Sequence, residues 1–409
     1  MDLIQLATVR TDLENFVALF KESFGRKERV YWCHQYLSGL MLNGERKSIQ
    51  PMAERLPNGN EQAMQQFVNQ SPWDHKNVQE KLAQYMAKNS NLKKGVLVLD
   101  DTTLPKKGHH SVGVAHQYCG ALGKIANCQS VVTWQYCELN GVHFPINSEL
   151  YLPKSWISNK EKMVQALVPE NRSQFLKKWE IALQLFDQIS KEIFPYKALV
   201  FDAGYGEIRE FLRELDRRKL VFVAQIPENH AFWASDVKIE SPKEKTNGRP
   251  RTYPKISDRT QKPLSARLWR EKLLKDGVKF RKIQLPLQSK KQTEVIAIRV
   301  KETHSHAFYR PGADRWLIVE KVGDQYKYYS SNAEEKESLE NLVLWAHERW
   351  KIEQNYQQLK EELGLDHFEG RSWRGLHHHI TLCFMAYDFL ILQKGKKNFS
   401  HLYPRLGNY

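Results

Sequence analysis

Two short apolar runs closed by aspartate constrain this chain most. They are Gly95-Val-Leu-Val-Leu-Asp100-Asp101-Thr-Thr and Ala198-Leu-Val-Phe-Asp202, the second followed by Ala-Gly-Tyr-Gly. Continuous apolar runs of this length, bounded by turn and polar residues, belong in buried strands. Between them, Ser111–Tyr118, Gln129–Glu138 and Phe144–Leu152 read as further strands, and Asn140-Gly141 is a strong hairpin turn. Two helices are expected at about 159–167 and 172–193. After the second run come a helix over Ile208–Arg218 and a strand over Leu220–Ile226. The expected order is three adjoining antiparallel strands, helix, strand, helix, strand.

Outside this block the texture differs. Residues 1–92 read as helical: Leu13–Phe24, Val30–Met41, Ile49–Leu56 behind Ser48 with Pro51 in its first turn, Glu61–Asn69, and His75–Met86. The pair 49–56 and 61–69, joined by Pro57-Asn58-Gly59-Asn60, has the outline of a helix-turn-helix, and Gln62, Gln65, Gln66 and Asn69 suit base-edge contacts. Plain helical packing fits that pair equally well. Residues 228–334 read as an antiparallel insertion with strands at Val278–Leu287, Thr293–Glu302, Arg315–Lys321 and Gln325–Ser330. Ahead of those strands, a Pro/Gly-punctuated basic loop over Lys243–Lys262 includes Asn-Gly-Arg249-Pro-Arg251, readable as a minor-groove hook or as a solvated linker. A helical run over Glu335–Leu363 and an apolar helix over His377–Gln393 follow, and Lys394, Lys396, Lys397 and Arg405 make the tail basic.

The formal net charge is +15, a balance that favours a polyanionic partner, with nucleic acid first. No run of about 18 apolar residues offers a membrane span. Met-Asp-Leu-Ile-Gln lacks the basic-then-apolar layout of a signal peptide, so a cytoplasmic protein is expected. Five cysteines in 409 residues make no disulfide framework. Cys119, Cys128 and Cys137 lack zinc-knuckle spacing and read as buried strand thiols.

The helical run contains Arg349-Trp-Lys-Ile-Glu353-Gln-Asn-Tyr-Gln-Gln-Leu-Lys360. In one continuous helix Arg349, Glu353 and Lys360 share a face, and Leu342, Trp345, Ile352, Tyr356, Leu359 and Leu363 seat the other. Taken alone, that face is either an ordinary charge ladder or a carboxylate held between two cations. Acids at the end of the first strand, at the end of the fourth and on a late helix form a third possibility together. The strand order is that of the RNase H-like fold, whose chemistry places acids at those positions. Here they are Asp100/Asp101, Asp202 and Glu353. Asp100 and Asp101 point to opposite faces of a strand, so one joins a site, and Asp101 is the choice. Such carboxylates suit two divalent cations roughly 4 Å apart for in-line attack at phosphorus, with magnesium the fitting ion.

At these residues the chain resembles the DDE transposases of bacterial insertion sequences, and in particular the group with Tyr-x2-Arg-x3-Glu-x6-Lys in its last catalytic helix. Arg349, Glu353 and Lys360 match that spacing, while Ala346 stands at the tyrosine position. Lys106-Lys-Gly, Ser111-Val-Gly-Val, Gln117-Tyr-Cys-Gly, Asn127-Cys-Gln and Gly370-Arg-Ser-Trp-Arg-Gly-Leu-His-His-His look like one branch of these proteins. The resemblance implies an α/β, RNase H-like mixed-sheet catalytic core with a β-rich insertion and an N-terminal helical domain. The corresponding spans are 1–92 (helical, DNA-binding), 93–227 (core), 228–334 (insertion), 335–395 (catalytic and final helices) and 396–409 (basic tail). It implies Asp101, Asp202 and Glu353 as ligands of Mg2+, with Mn2+ able to substitute. Arg349 and Lys360 become phosphate contacts at the transposon end. Trp350 matches an aromatic position that holds displaced bases, although core packing accounts for it as well. The implied partners are double-stranded terminal inverted repeats, target DNA and a second copy of the chain, bound in the cytoplasm at the nucleoid. An inactive DNA-occupying relative and a plain RNase H-like nuclease are the alternatives. The His377-His378-His379 run reads as phosphate contact or helix surface rather than a metal site, because adjacent helical residues diverge by about 100°.

Overall fold

The computed structural model describes residues 3–139, 141–240, 255–258, 260–285, 292–303 and 310–395. The chain divides into two compact units: Met1–Gly95, Leu99–Pro195 and Trp350–Tyr409 form one, Val96–Val98 and Tyr196–Arg349 the other.

The first unit begins with helices α1 (Leu3–Ala18), α2 (Lys21–Phe24), α3 (Lys27–Met41), α4 (Ile49–Arg55), α5 (Glu61–Asn69) and α6 (His75–Asn89). Asn60 caps α5 through the Ala63 amide, and Asp74 caps α6 through that of Lys76. Strand β1 (Gly95–Pro105) gives its residues 96–98 to the second unit. The first unit continues with β2 (Ala115–Cys119), β3 (Lys124–Glu138) and β4 (His143–Tyr151). The long β3 pairs antiparallel with β2 through Lys124–Cys128 and with β4 through Ser130–Cys137, shifting register between Trp134 and Gln135. It also neighbours β1. Gly95 is required there, since a Cβ would lie 2.3 Å from the Tyr136 ring. Cys119, Cys128 and Cys137 are buried thiols, as expected.

Helices α7 (Lys154–Ile157), α8 (Lys160–Gln165) and α9 (Lys178–Phe186) follow. The expected helix over 172–193 is therefore shorter. Residues 170–172 form a 3-10 turn, and α9 starts where the Glu180 carboxylate caps the Lys177 amide at 2.7 Å. The strand expected at Ser111 begins at Ala115, because Ser111–Val114 turns back on itself and Gly113 takes φ +70°.

The second unit holds β5 (Tyr196–Phe201), α10 (Ala203–Gly206), α11 (Arg209–Arg217), β6 (Phe222–Ile226), β7 (Ala231–Ala234), β8 (Ile239–Glu240), β9 (Lys255–Ile256), β10 (Leu264–Ser265), α12 (Ala266–Lys275), β11 (Arg281–Gln284), β12 (Gln292–Thr303), β13 (Pro311–Val322), β14 (Gln325–Ser331) and α13 (Leu339–Glu348). Its strand order is β10-β7-β12-β13-β14-β6-β5, with the 96–98 segment beyond β5. β5 and β6 are parallel, whereas β6–β14, β14–β13 and β13–β12 are antiparallel. Helix α12 was not expected; Ser265 caps it at the Leu268 amide, a cue present in the sequence. Buried Arg315 holds this unit's interior together, donating to Asp216 at 2.5 Å and Glu302 at 2.7 Å.

The first unit closes with α14 (Trp350–Glu361) and α15 (Trp373–Lys394). The run expected as one helix over Glu335–Leu363 is thus two, interrupted at Arg349. The packing partners change at the break, since α13 packs on β5 and β6 while α14 packs on β4 and α15. All six apolar residues assigned to the seated face are buried, including Leu342, Ile352 and Leu359. Helix α15 is buried nearly all round. The chain is a mixed α/β protein with a large mixed sheet, flanking helices and an N-terminal helical region, compatible with an RNase H-like core.

Candidate active site

In the first unit, Asp100 and Asp101 lie within β1, not at its end. The strand runs on because Thr102, Thr103 and Leu104 are also buried, with Thr103 Oγ1 accepting the Ala121 amide at 3.2 Å. Burial relaxes only at the two acids and at the closing Pro105. Alternation sends the two acid side chains apart. Asp100 turns its carboxylate onto the Asp101 amide at 2.7 Å. The Asp101 Oδ2 accepts from the Ser130 hydroxyl on β3 at 2.8 Å and from the Lys178 ammonium on α9 at 2.6 Å.

Glu353 stands in the first turn of α14, exposed, where a carboxylate suits the helix dipole. One turn later, the Tyr356 hydroxyl meets Thr133 Oγ1 of β3 at 2.5 Å and donates to the Asp100 carbonyl of β1 at 3.2 Å. Asn355 accepts from Gln135 at 3.0 Å. Buried hydrogen bonds therefore fix the helix that carries Glu353 to the strands that carry Asp101 and Ser130. Tyr356 is thus a strut between helix and strands, and Ala346, at the tyrosine position, is buried. Lys360, at the far end of α14, is half-buried. Burial lowers its pKa, while Asp366, Cys119 and Asp100 pull it upward. Trp350 is 58% exposed, which removes core packing as its explanation.

In the second unit, Asp202 follows β5 directly and caps α10, accepting the Tyr205 amide at 3.1 Å. The tight Ala-Gly-Tyr-Gly turn needs its glycines. A Cβ on Gly206 would lie 2.0 Å from the Gln225 carbonyl, and one on Gly204 would sit 3.3 Å from the Asp202 carboxylate. Arg349, the last residue of this unit, occupies the break after α13. Arg249 and Arg251 lie outside the described residues.

Among the described residues, no group of three or more His, Cys, Asp or Glu side chains is placed to hold a metal ion. The candidate donors are carboxylates throughout, a hard all-oxygen set suited to magnesium or manganese. Lys178 and Ser130 were missed by sequence reasoning. The available signal was Lys177-Lys178 at the start of a helix, where a cation opposes the dipole and calls for a nearby acid. The histidine run is also corrected. His377, His378 and His379 are all buried, bonded to Glu149, to the Val68 and Trp73 carbonyls, and to Tyr36 and Gly364. They are neither helix surface nor phosphate contacts.

Residues 19–291 match the family described as DDE superfamily endonuclease, a span that includes Asp101 and Asp202 and ends before Glu353. The chain is also 27% identical over 204 residues to a protein of Microchaete diplosiphon named "Probable transposase for insertion sequence element IS701". That similarity covers 49% of this chain and 50% of the relative, so the chain spans about half the length of the curated protein it matches. With the matched span enclosing β1, β5 and the acids they carry, the chain belongs to the DDE superfamily endonucleases.

Proposed function

We propose that this chain is the transposase of an insertion sequence, cutting and joining DNA at terminal inverted repeats by metal-dependent phosphoryl transfer. The observation that supports the reading is the hydrogen-bonded seat of α14, the helix that carries Glu353, on β1 and β3, with β1 bearing Asp101. Asp202, directly after β5 and inside the span that matches the family, is the proposed third acid. The three carboxylates would hold Mg2+, or Mn2+ in its place. When bound, the ions supply Lewis-acid activation of a water or 3′ hydroxyl and stabilisation of the leaving oxygen. The chain's own residues do the rest. The Ser130 hydroxyl holds the Asp101 carboxylate in position. Tyr356 sets the angle of α14. Lys360 and Arg349 offer cationic heads to backbone phosphates, and exposed Trp350 offers a ring on which an unstacked base can rest.

The N-terminal helices are assigned to recognition of the repeats. Gln62, Gln65 and Gln66 are all exposed on α5 and can present amides to base edges, whereas Asn69 is half-buried. In this reading residues 1–92 bind DNA, 93–227 and 335–395 form the catalytic core, and 228–334 is an insertion. Residues 396–409 are a basic tail, and two copies act together on the DNA at the nucleoid. No described helix is long and apolar enough to cross a membrane. The test incubates purified protein and magnesium with DNA flanking its own gene. Products ending at inverted repeats are expected. Random nicking would point instead to a simple nuclease, and DNA binding without cleavage to an inactive relative.

A further inference from the structure

The Asp101 carboxylate already has a cation. Lys178 Nζ lies 2.6 Å from Asp101 Oδ2, with the lysine side chain 33% exposed and the aspartate 19%. The Ser130 hydroxyl takes the same oxygen at 2.8 Å, which fills the in-plane acceptor positions of Oδ2. The lysine is held from a second side, because its ammonium lies 5.6 Å from the centre of the Tyr151 ring. Its place in the chain is costly on local grounds. It is the first residue of α9, where a positive charge opposes the helix dipole, and Lys177 precedes it. Asp101 is the acid that offsets this arrangement. The neighbouring acid, Glu180, is committed to the Lys177 amide at 2.7 Å.

We propose that Lys178 is a built-in counter-ion that competes with the divalent metal for Asp101, so that the DNA-free protein loads metal weakly. This rests on the reading of Asp101 as a metal ligand. A divalent ion on either oxygen of that carboxylate sits within a few ångströms of the ammonium, and two cations at that range repel. Loading requires the lysine to withdraw. A DNA phosphate beside the site is a group that draws it off, since an ammonium moves readily from one anion to another on a flexible stem. Lys178 is thus a positioning residue that ties metal occupancy to the presence of substrate.

The test measures Mn2+ binding to the full-length, DNA-free protein by calorimetry or by loss of the free-ion electron paramagnetic resonance signal. Lys178→Gln is expected to bind Mn2+ about fivefold more tightly than the unmodified protein, the scale of one half-exposed ion pair. Lys178→Arg keeps the competing charge and is expected to bind as the unmodified protein does. In Asp101→Asn, adding Lys178→Gln is expected to produce no further gain. Circular dichroism on each variant confirms that the fold is retained. Unchanged or weaker binding in Lys178→Gln overturns the proposal. So does a gain that survives in the Asp101→Asn background, because the effect then does not pass through that carboxylate. If Asp101→Asn, Asp202→Asn and Glu353→Gln all bind Mn2+ as the unmodified protein does, the metal-site reading itself fails. Acid-dependent binding that ignores Lys178 sinks only the counter-ion.

Discussion

Two clusters of ionisable side chains in the first unit have opposite designs. One centres on the three consecutive histidines of α15. His378 is stacked on Trp73 with ring centres 3.5 Å apart, and His379 meets Tyr36 at 2.8 Å. His377 meets Glu149 at 3.0 Å, and both side chains are buried. Every partner is another part of the protein. The other cluster is Asp101 with Ser130 and Lys178, at the point of β1 where burial relaxes. A run of three histidines attracts attention in a sequence, yet it is core. A single lysine before a helix attracts none, yet it meets the acid most central to the proposed chemistry. Residue type alone does not separate structural from functional polar groups; burial and the partners of each group must be read with it.

The largest expected effect separates the clusters outright. Asp101→Asn, Asp202→Asn and Glu353→Gln should each lower magnesium-dependent cleavage by roughly a thousandfold or more, as loss of a directly acting group does. Binding to transposon ends should persist in gel-shift assays. A variant that still cleaves normally would remove its residue from the site.

His378→Ala should behave in the opposite way, costing about 2–4 kcal/mol of stability through the lost stack and the one carbonyl, of Val68 or Trp73, that the neutral ring's single N–H serves. Chemical denaturation measures that loss, and the activity of the remaining folded molecules should be unchanged. The same cluster predicts acid sensitivity. Burial depresses His378 and His379 to about 3, as it does His143 beside Tyr387. Between about pH 6.5 and 3 the unfolded chain therefore takes up protons that the folded chain refuses, and stability falls as pH falls through that window. A melting temperature that stays flat from pH 7 to 4 would contradict this account of the core.

A smaller effect sharpens the link between the two designs. Tyr356→Phe removes one hydroxyl from a buried position and should cost about 1 kcal/mol of stability. Because that hydroxyl seats the helix carrying Glu353, cleavage should fall by roughly tenfold, beyond what stability explains. Equal activity per folded molecule would make Tyr356 a core residue only. Smallest of all, Lys360→Ala should weaken binding of cleaved ends and lower the slope of log affinity against log salt by about 1.

How much of this was legible beforehand follows from the physics of each element. β1, β5 and β6 were readable because a strand buried on both faces must be continuously apolar. Helix α5 was readable to the residue because Asn60 caps it and Gln70 ends it. The end of β1 was misplaced because two acids look like a stop, while the strand continues through buried threonines. The break at Arg349 was invisible, since the apolar stripe keeps its period while its packing partners change. For the proposed site, Asp101, Asp202 and Glu353 were named from spacing and resemblance. Lys178 and Ser130 reach Asp101 from 77 and 29 residues away, and no local pattern reports such long-range pairing.

The most direct test of the central claim sets Asp101→Asn and His378→Ala side by side on supercoiled plasmid carrying the DNA that flanks the gene, with cleavage normalised to folded protein. The account predicts ends cut at the inverted repeats by His378→Ala at the unmodified rate and no cutting by Asp101→Asn. Equal cleavage by both proteins, or cleavage lost with His378 and kept without the Asp101 carboxylate, would contradict it.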